Sequence, residues 1–145
     1  MAITTSVICN SFKKELLEAT HNFSSGSGNS FKLALYTNSA TLGKSTTSFT
    51  TDNQVSNTGQ YTSGGGALTN GGTSLSTNTA IIDFADRSFT GVTLTARGAL
   101  IYNDTASGDP AVCVLDFGGD KSASSGTFTI QFPAFTSSAA ILRIT

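Results

Sequence analysis

Hydrophobic and polar positions alternate most regularly between residues 91 and 117, GVTLTARGALIYNDTASGDPAVCVLDF. Val92, Leu94, Ala96, Gly98, Leu100 and Tyr102 share one face of an extended chain. Thr93, Thr95, Arg97, Ala99 and Ile101 share the other. After a short run rich in turn formers, Asn103 to Pro110, Ala111, Cys113, Leu115 and Phe117 alternate with Val112, Val114 and Asp116. The pattern predicts a β-hairpin with a loop of about six residues.

The same period recurs in shorter runs. Phe31 to Thr37 places Phe31, Leu33 and Leu35 opposite Lys32, Ala34 and Tyr36. Thr79 to Phe84 places Ala80, Ile82 and Phe84 opposite Ile81 and Asp83. Phe89-Thr90 leads through Gly91 into the hairpin. Thr127 to Phe132, closed by Pro133, and Ala139 to Thr145 complete the set. Asp86-Arg87-Ser88 reads as a turn, and Gly118 to Gly126 as a second loop.

The period changes once. Phe12, Leu16, Ala19 and Phe23 fall at i, i+4, i+7 and i+11, with Leu17 widening the stripe. This predicts a helix over about 11–23, N-capped by Asn10 or Ser11 and ended by Ser24 to Gly28. Glu18 lies four residues from Lys14, a modest support. Such a helix must pack its apolar face on a sheet or on a neighbouring subunit. Residues 1–9, MAITTSVIC, read as an edge strand or as an arm that reaches a partner.

Residues 38–79 break the pattern. Ser, Thr, Asn and Gly dominate, with Leu42, Phe49, Val55, Tyr61, Ala67, Leu68 and Leu75 at intervals. Gly64-Gly65-Gly66 and Gly71-Gly72 are costly inside regular elements. Short strand pieces are expected at 53–61 and 66–69, joined by extended loops. A weakly structured stretch of this length is either a functional insertion or a mobile loop.

The sum is one domain, 1–145, with an arm (1–9) and a helix (11–23). Its class is mainly β: an antiparallel sandwich or barrel, jelly-roll-like, carrying one helix. A chain this long can bury roughly two-thirds of its unfolded surface. Composition agrees with the class. Charged residues are 12%, against about 25% in ordinary soluble domains, and Ser plus Thr number 43. Threonine suits the pleat and glycine the turns. Such a surface fits either a solvated hydroxyl-rich domain or one covered by neighbours in an assembly.

Charge and motifs exclude more than they select. A net charge of -1 with only Lys13 and Lys14 adjacent offers no basic cluster for a phosphate backbone. No hydrophobic run approaches the length of a transmembrane helix, and no basic region with an apolar core opens the chain. Cys9 and Cys113 have no zinc-site spacing. Cys113, between two valines, reads as a buried thiol, with a Cys9–Cys113 disulfide as the alternative in an oxidising compartment. His21, the single histidine, has no G-x-S-x-G elbow to serve. Asp83, Asp86, Asp116 and Asp120 lack calcium-loop spacing. Arg97 is the one charge in its strand and is expected to pair with Asp83 or Asp116. Asn22-Phe23-Ser24 and Asn103-Asp104-Thr105 match the glycosylation pattern by chance. No catalytic, cofactor or metal residue is assigned, and the chain is expected not to be an enzyme.

Several segments together resemble a family of small structural proteins of tailed bacteriophages, many from aquatic and cyanobacterial viruses. They are SFKKELLEATHNF (11–23), FKLALYTNSATLGKSTTSFT (31–50), the Val55 to Leu68 region, IIDFAD (81–86), LTARGALIYN (94–103), AVCVLDFGGDKSASSGTFTIQFP (111–133) and AILRI (140–144). The resemblance implies a non-enzymatic particle component. The expectation is a capsid decoration, or cement, protein, made in the host cytoplasm and bound to the outer surface of the shell. It would act as a homotrimer on the major capsid protein, with no cofactor, nucleic acid or membrane. The alternative is a tail-associated or receptor-binding module that recognises a host surface glycan. Candidate contact residues are Ile3, Val7 and Ile8 of the arm, Phe12 and Leu16 of the helix, Phe49 and Tyr61 of the glycine-rich stretch, and Asn103 and Asp104 at the hairpin tip.

Overall fold

A computed structural model of the chain describes residues 3–145. These form eight strands and one helix: β1 (Val7–Ile8), α1 (Asn10–Leu17), β2 (Phe31–Tyr36), β3 (Gly66–Ala67), β4 (Asn70–Ser76), β5 (Thr79–Phe84), β6 (Arg87–Asn103), β7 (Ala111–Ile130) and β8 (Leu142–Ile144). Every pairing is antiparallel. Five strands form one sheet, ordered β1-β7-β6-β2-β3, and three form another, ordered β4-β5-β8. The fold is mainly β and sandwich-like, with one short helix.

The hairpin is longer than its alternation indicates. β6 and β7 pair from Tyr102–Ala111 at the tip to Arg87–Ile130 at the open end. The expected turn at 86–88 and the expected loop at 118–126 therefore lie largely within one ribbon. Bulges hid the continuity. Between Ala96–Lys121 and Gly98–Asp116, Arg97 alone spans Phe117 to Asp120. Gly118 takes φ +79 there, and its N–H donates to Asp116 Oδ1 (2.9 Å). A bulge puts extra residues on one strand and resets the alternation, so a strict period of two stops at Phe117. Gly98 has a separate reason. A Cβ there would lie 2.4 Å from the Leu115 carbonyl oxygen and 2.7 Å from Ile3 Cδ1, so its bare backbone makes room for Ile3.

The helix is shorter than expected. It ends at Leu17, because Ala19 turns left-handed at φ 58. Thr20 N–H donates to the Glu15 carbonyl (2.9 Å) and Ala19 N–H to that of Leu16 (3.2 Å), the paired closure of a Schellman motif with alanine where glycine is usual. Ala19 and Phe23 matched the helical period, but Phe23 reaches the core from the following loop. Neither Asn10 nor Ser11 is the N-cap. Cys9 is, with no side-chain bond, and Asn10 N–H donates instead to the Lys44 carbonyl (2.8 Å).

An aromatic seam joins the layers. Phe23 stacks on Phe31 (centroids 4.3 Å, planes 5° apart), Phe31 meets Phe84 (5.8 Å), and Phe84 meets Phe132 (5.7 Å). Phe12 packs on Phe23 (5.9 Å). Post-helix loop, β2 and β5 are thereby held together, and all these rings but Phe132 are buried.

The polar stretch is stitched to this frame. Thr37 N–H donates to the Asn53 carbonyl, Val55 N–H to that of Leu35, Phe49 N–H to that of Asp109 and Ala111 N–H to that of Thr47. Tyr61 is fully buried, its hydroxyl accepting from Leu35 N–H (2.7 Å) and Gln54 Nε2 (2.8 Å). Two expectations are corrected. Residues 53–61 hold only isolated bridges, at Gln54 and between Thr58 and Tyr61. Asn70–Ser76, NGGTSLS, is a true strand, made by pairing with β5 across a bulge at Gly71.

The left-handed alanine sets a first test. Ala19→Gly is expected to stabilise the protein by about 1 kcal/mol, since an L-residue in this conformation costs about 1–2 kcal/mol and part of the gain is lost to unfolded-chain entropy. Urea denaturation measures it; an unchanged or lower midpoint would refute the strain.

Candidate functional site

The register of the small sheet builds its most distinctive surface. Leu75 pairs with Ala80 and Ala80 with Ile144, while Thr73 pairs with Ile82 and Ile82 with Leu142. Opposed residues in an antiparallel sheet project to the same side, so these six side chains share one face. Its inner row is covered: Leu142 is buried and Ile82 partly so. Its outer row is open, with Leu75 72% and Ile144 60% exposed.

Opposite this face stands α1. Phe12 turns into the core, but Leu17 is 91% exposed, contrary to the expectation that it would widen a buried stripe. An open cleft of about 1010 Å³ separates Leu16 and Leu17 from Ala80, Ile82, Leu142 and Ile144, and Phe23 also lines it. Three of the four large apolar side chains most exposed among the described residues, Leu17, Leu75 and Ile144, thus belong to one apolar region. Lys13 and Arg143 line the cleft, and among the described residues no Asp or Glu does. The Arg143 guanidinium donates to the Ser138 carbonyl (2.8 Å). Among the described residues Lys13 Nζ reaches only Asn10 Oδ1 (3.5 Å).

Behind the cleft lies a polar network. The Asn103 side-chain oxygen accepts from Thr105 N–H (3.0 Å) and Ala106 N–H (3.1 Å). That fixes the amide, so Nδ2 donates, to Asn29 Oδ1 (3.0 Å) and to His21 Nδ1 (3.1 Å). His21 Nδ1 is then an acceptor, and its Nε2–H donates to Glu15 Oε2 (2.7 Å). The tautomer follows from the donor count. No nucleophile takes part. Glu15, His21, Asn29 and Asn103 tie helix, post-helix loop and hairpin tip together.

The sequence-derived candidates scatter. Ile3, Tyr61 and Asn103 lie fully in the core and have no surface to present to a partner, while Phe12 is buried with only its edge at the cleft. Residues 7–8 are strand β1, with Val7 opposite Val114 and Ile8 opposite Cys113, so only this part of the arm is an edge strand; Met1 and Ala2 lie outside the described residues. Phe49 is partly buried and stacks on Tyr102 (4.7 Å). Asp104 pairs with Lys32 (3.1 Å). Arg97 pairs with Asp116, not Asp83. Cys9 and Cys113 are free; the strand alternation that sets Ile8 opposite Cys113 sends Cys9 to the other face. Of the candidates, Ile8, Phe12 and Leu16 line the cleft. Its other wall went unrecognised, because AIID and LRI are ordinary strand sequences and only pairing aligns Leu75, Ala80 and Ile144. The alternation of Ala80 with Ile82 was the one available signal.

No family model, curated protein or solved structure matches this chain.

Two outcomes follow from the buried groups. Asn103→Ala strands His21 Nδ1, Asn29 Oδ1 and two backbone N–H groups, and is expected to cost about 2–3 kcal/mol in urea denaturation; a loss under about 0.5 kcal/mol would show the network to be dispensable. Burial, with Glu15 adding to it, pushes the Cys9 thiol up from 9.0 to about 11, and burial raises Cys113, Tyr36 and Tyr102 as well. In this window the unfolded chain releases protons that the folded chain keeps, so stability is full below about pH 8.5 and falls as pH rises. Melting temperature is expected to drop between pH 9 and about 11, and less steeply in Cys9→Ala. An equal slope in the variant would remove Cys9 from the account.

Proposed function

We propose that this chain is a non-enzymatic virion structural protein of a tailed bacteriophage, a cement protein that binds the outer surface of the assembled capsid as a homotrimer and contacts the major capsid protein. One observation carries the reading: a contiguous apolar region, from Leu17 across the cleft to Ala80, Ile144 and Leu75, left open on the free chain. Singly exposed apolar residues are normal, but a joined set beside a cleft marks an interaction surface. Covering a Leu or Ile side chain is worth about 1.5–3 kcal/mol, enough for each of many modest contacts on a lattice. Low charge and the resemblance of several segments to phage structural proteins support the same reading. Binding the assembled shell and not its parts would stabilise it by mass action.

The tail-module alternative asks for an aromatic platform for a glycan. Tyr36, Tyr61 and Tyr102 are all buried, which favours the capsid reading.

Ile144→Asp tests it. The side chain is mainly exposed, so the variant is expected to melt within a few degrees of the parent and to lose most of its binding to purified particles. Copy number on purified virions provides the second measurement. Hundreds of copies support a shell protein; a few copies, or full binding by Ile144→Asp, would overturn it.

A further inference from the structure

We infer that the cleft takes one extended, mainly apolar segment of another protein chain, added as a fourth strand along the outer edge of β8. The inference deepens the reading above and rests on it only for the source of that segment. β8 is the edge of the small sheet, and its backbone groups facing away from β5 have no partner among the described residues. An open strand edge is a template for another chain. Here the edge and the cleft coincide, because Leu142, Arg143 and Ile144, whose side chains alternate between the two faces, all line the cleft. Alternate residues of an added strand would project onto one of these faces and extend the row of Leu75, Ala80 and Ile144 towards Leu17. Main-chain hydrogen bonds would supply affinity and the cleft would select side chains.

The chemistry chooses the occupant. A lipid chain fills an apolar cleft but leaves the edge of β8 unpaired. A second copy could pair its own β8 edge only by setting Arg143 opposite the same arginine of the copy when all three residues pair, like charges that oppose the pairing, and the stretch with an arm-like sequence, Val7–Ile8, is already paired to β7. The segment therefore belongs to a different protein. The charged side chains lining the cleft are Lys13 and Arg143, and Arg143 is held by backbone carbonyls. The segment accordingly carries a carboxylate placed to meet Lys13.

The test uses the intact chain and a short acetylated peptide alternating valine and threonine with one aspartate. Binding is followed by fluorescence anisotropy, and amide exchange is read at Leu142, Arg143 and Ile144. The peptide is expected to bind and to slow exchange at those of the three amides that face away from β5. Methylating the peptide nitrogens along one edge is expected to weaken it about tenfold, the equivalent of one or two main-chain hydrogen bonds, and Lys13→Glu is expected to weaken it further. Equal affinity of the methylated peptide, no peptide binding, displacement by palmitate, or closure of the cleft by self-association would each overturn the inference. No particle enters this assay. Failure here with particle binding intact removes the added strand alone; failure of both removes the functional reading too.

Discussion

The structure depends on the contact of aromatic rings between its two sheets. An isolated two-stranded hairpin is marginal in water, and the small sheet adds to one only an edge strand of three residues. It holds because Phe84 leaves β5 to meet Phe31 of the large sheet and Phe132 of the chain returning from β7. Phe23 and Phe12 extend the seam to the helix. Ring pairs at these separations contribute beyond the area they bury, and they set the spacing between helix and small sheet. Phe12 and Phe23 of the seam form part of the cleft's lining.

A chain so rich in Ser and Thr has many hydroxyls to place and few charges to solvate it. The ribbon formed by β6 and β7 resolves this on its outward face, where Ser88 bonds Thr129 (2.8 Å) and Thr95 bonds Ser122 (2.7 Å) across the strands. Such pairs stabilise a sheet without needing burial. The polar stretch after β2 uses its backbone groups in the same way, by donating to and accepting from the sheet. Its glycines and asparagines read as loop, yet it is held along much of its length by the core it covers.

The strands with clean alternation, 31–36, 79–84 and both arms of the hairpin near its tip, were legible in the sequence. Legibility failed where a single backbone conformation or a distant partner overrode the local period. Ala19 ends the helix although its neighbours kept the helical period. Gly118 bends a strand without ending it, and Asn70–Ser76 becomes a strand through its partner and not through its own propensity. Arg97 needed a carboxylate on any reading, but choosing Asp116 over Asp83 required knowing which strand lies beside it.

Local chemistry by itself determined the class of this protein: period-two runs, turn residues and a low charge density lead to antiparallel β-structure with one amphipathic helix. Only the tertiary structure decided which apolar residues are core and which are surface. Ile3, Phe12 and Tyr61 look like partner-seeking residues in the chain and are buried. Leu17 looks like core and faces solvent. The reason is that exposure follows from strand register and from the distance between packed layers. Both depend on residues far apart in the chain, and neither is encoded in any one segment.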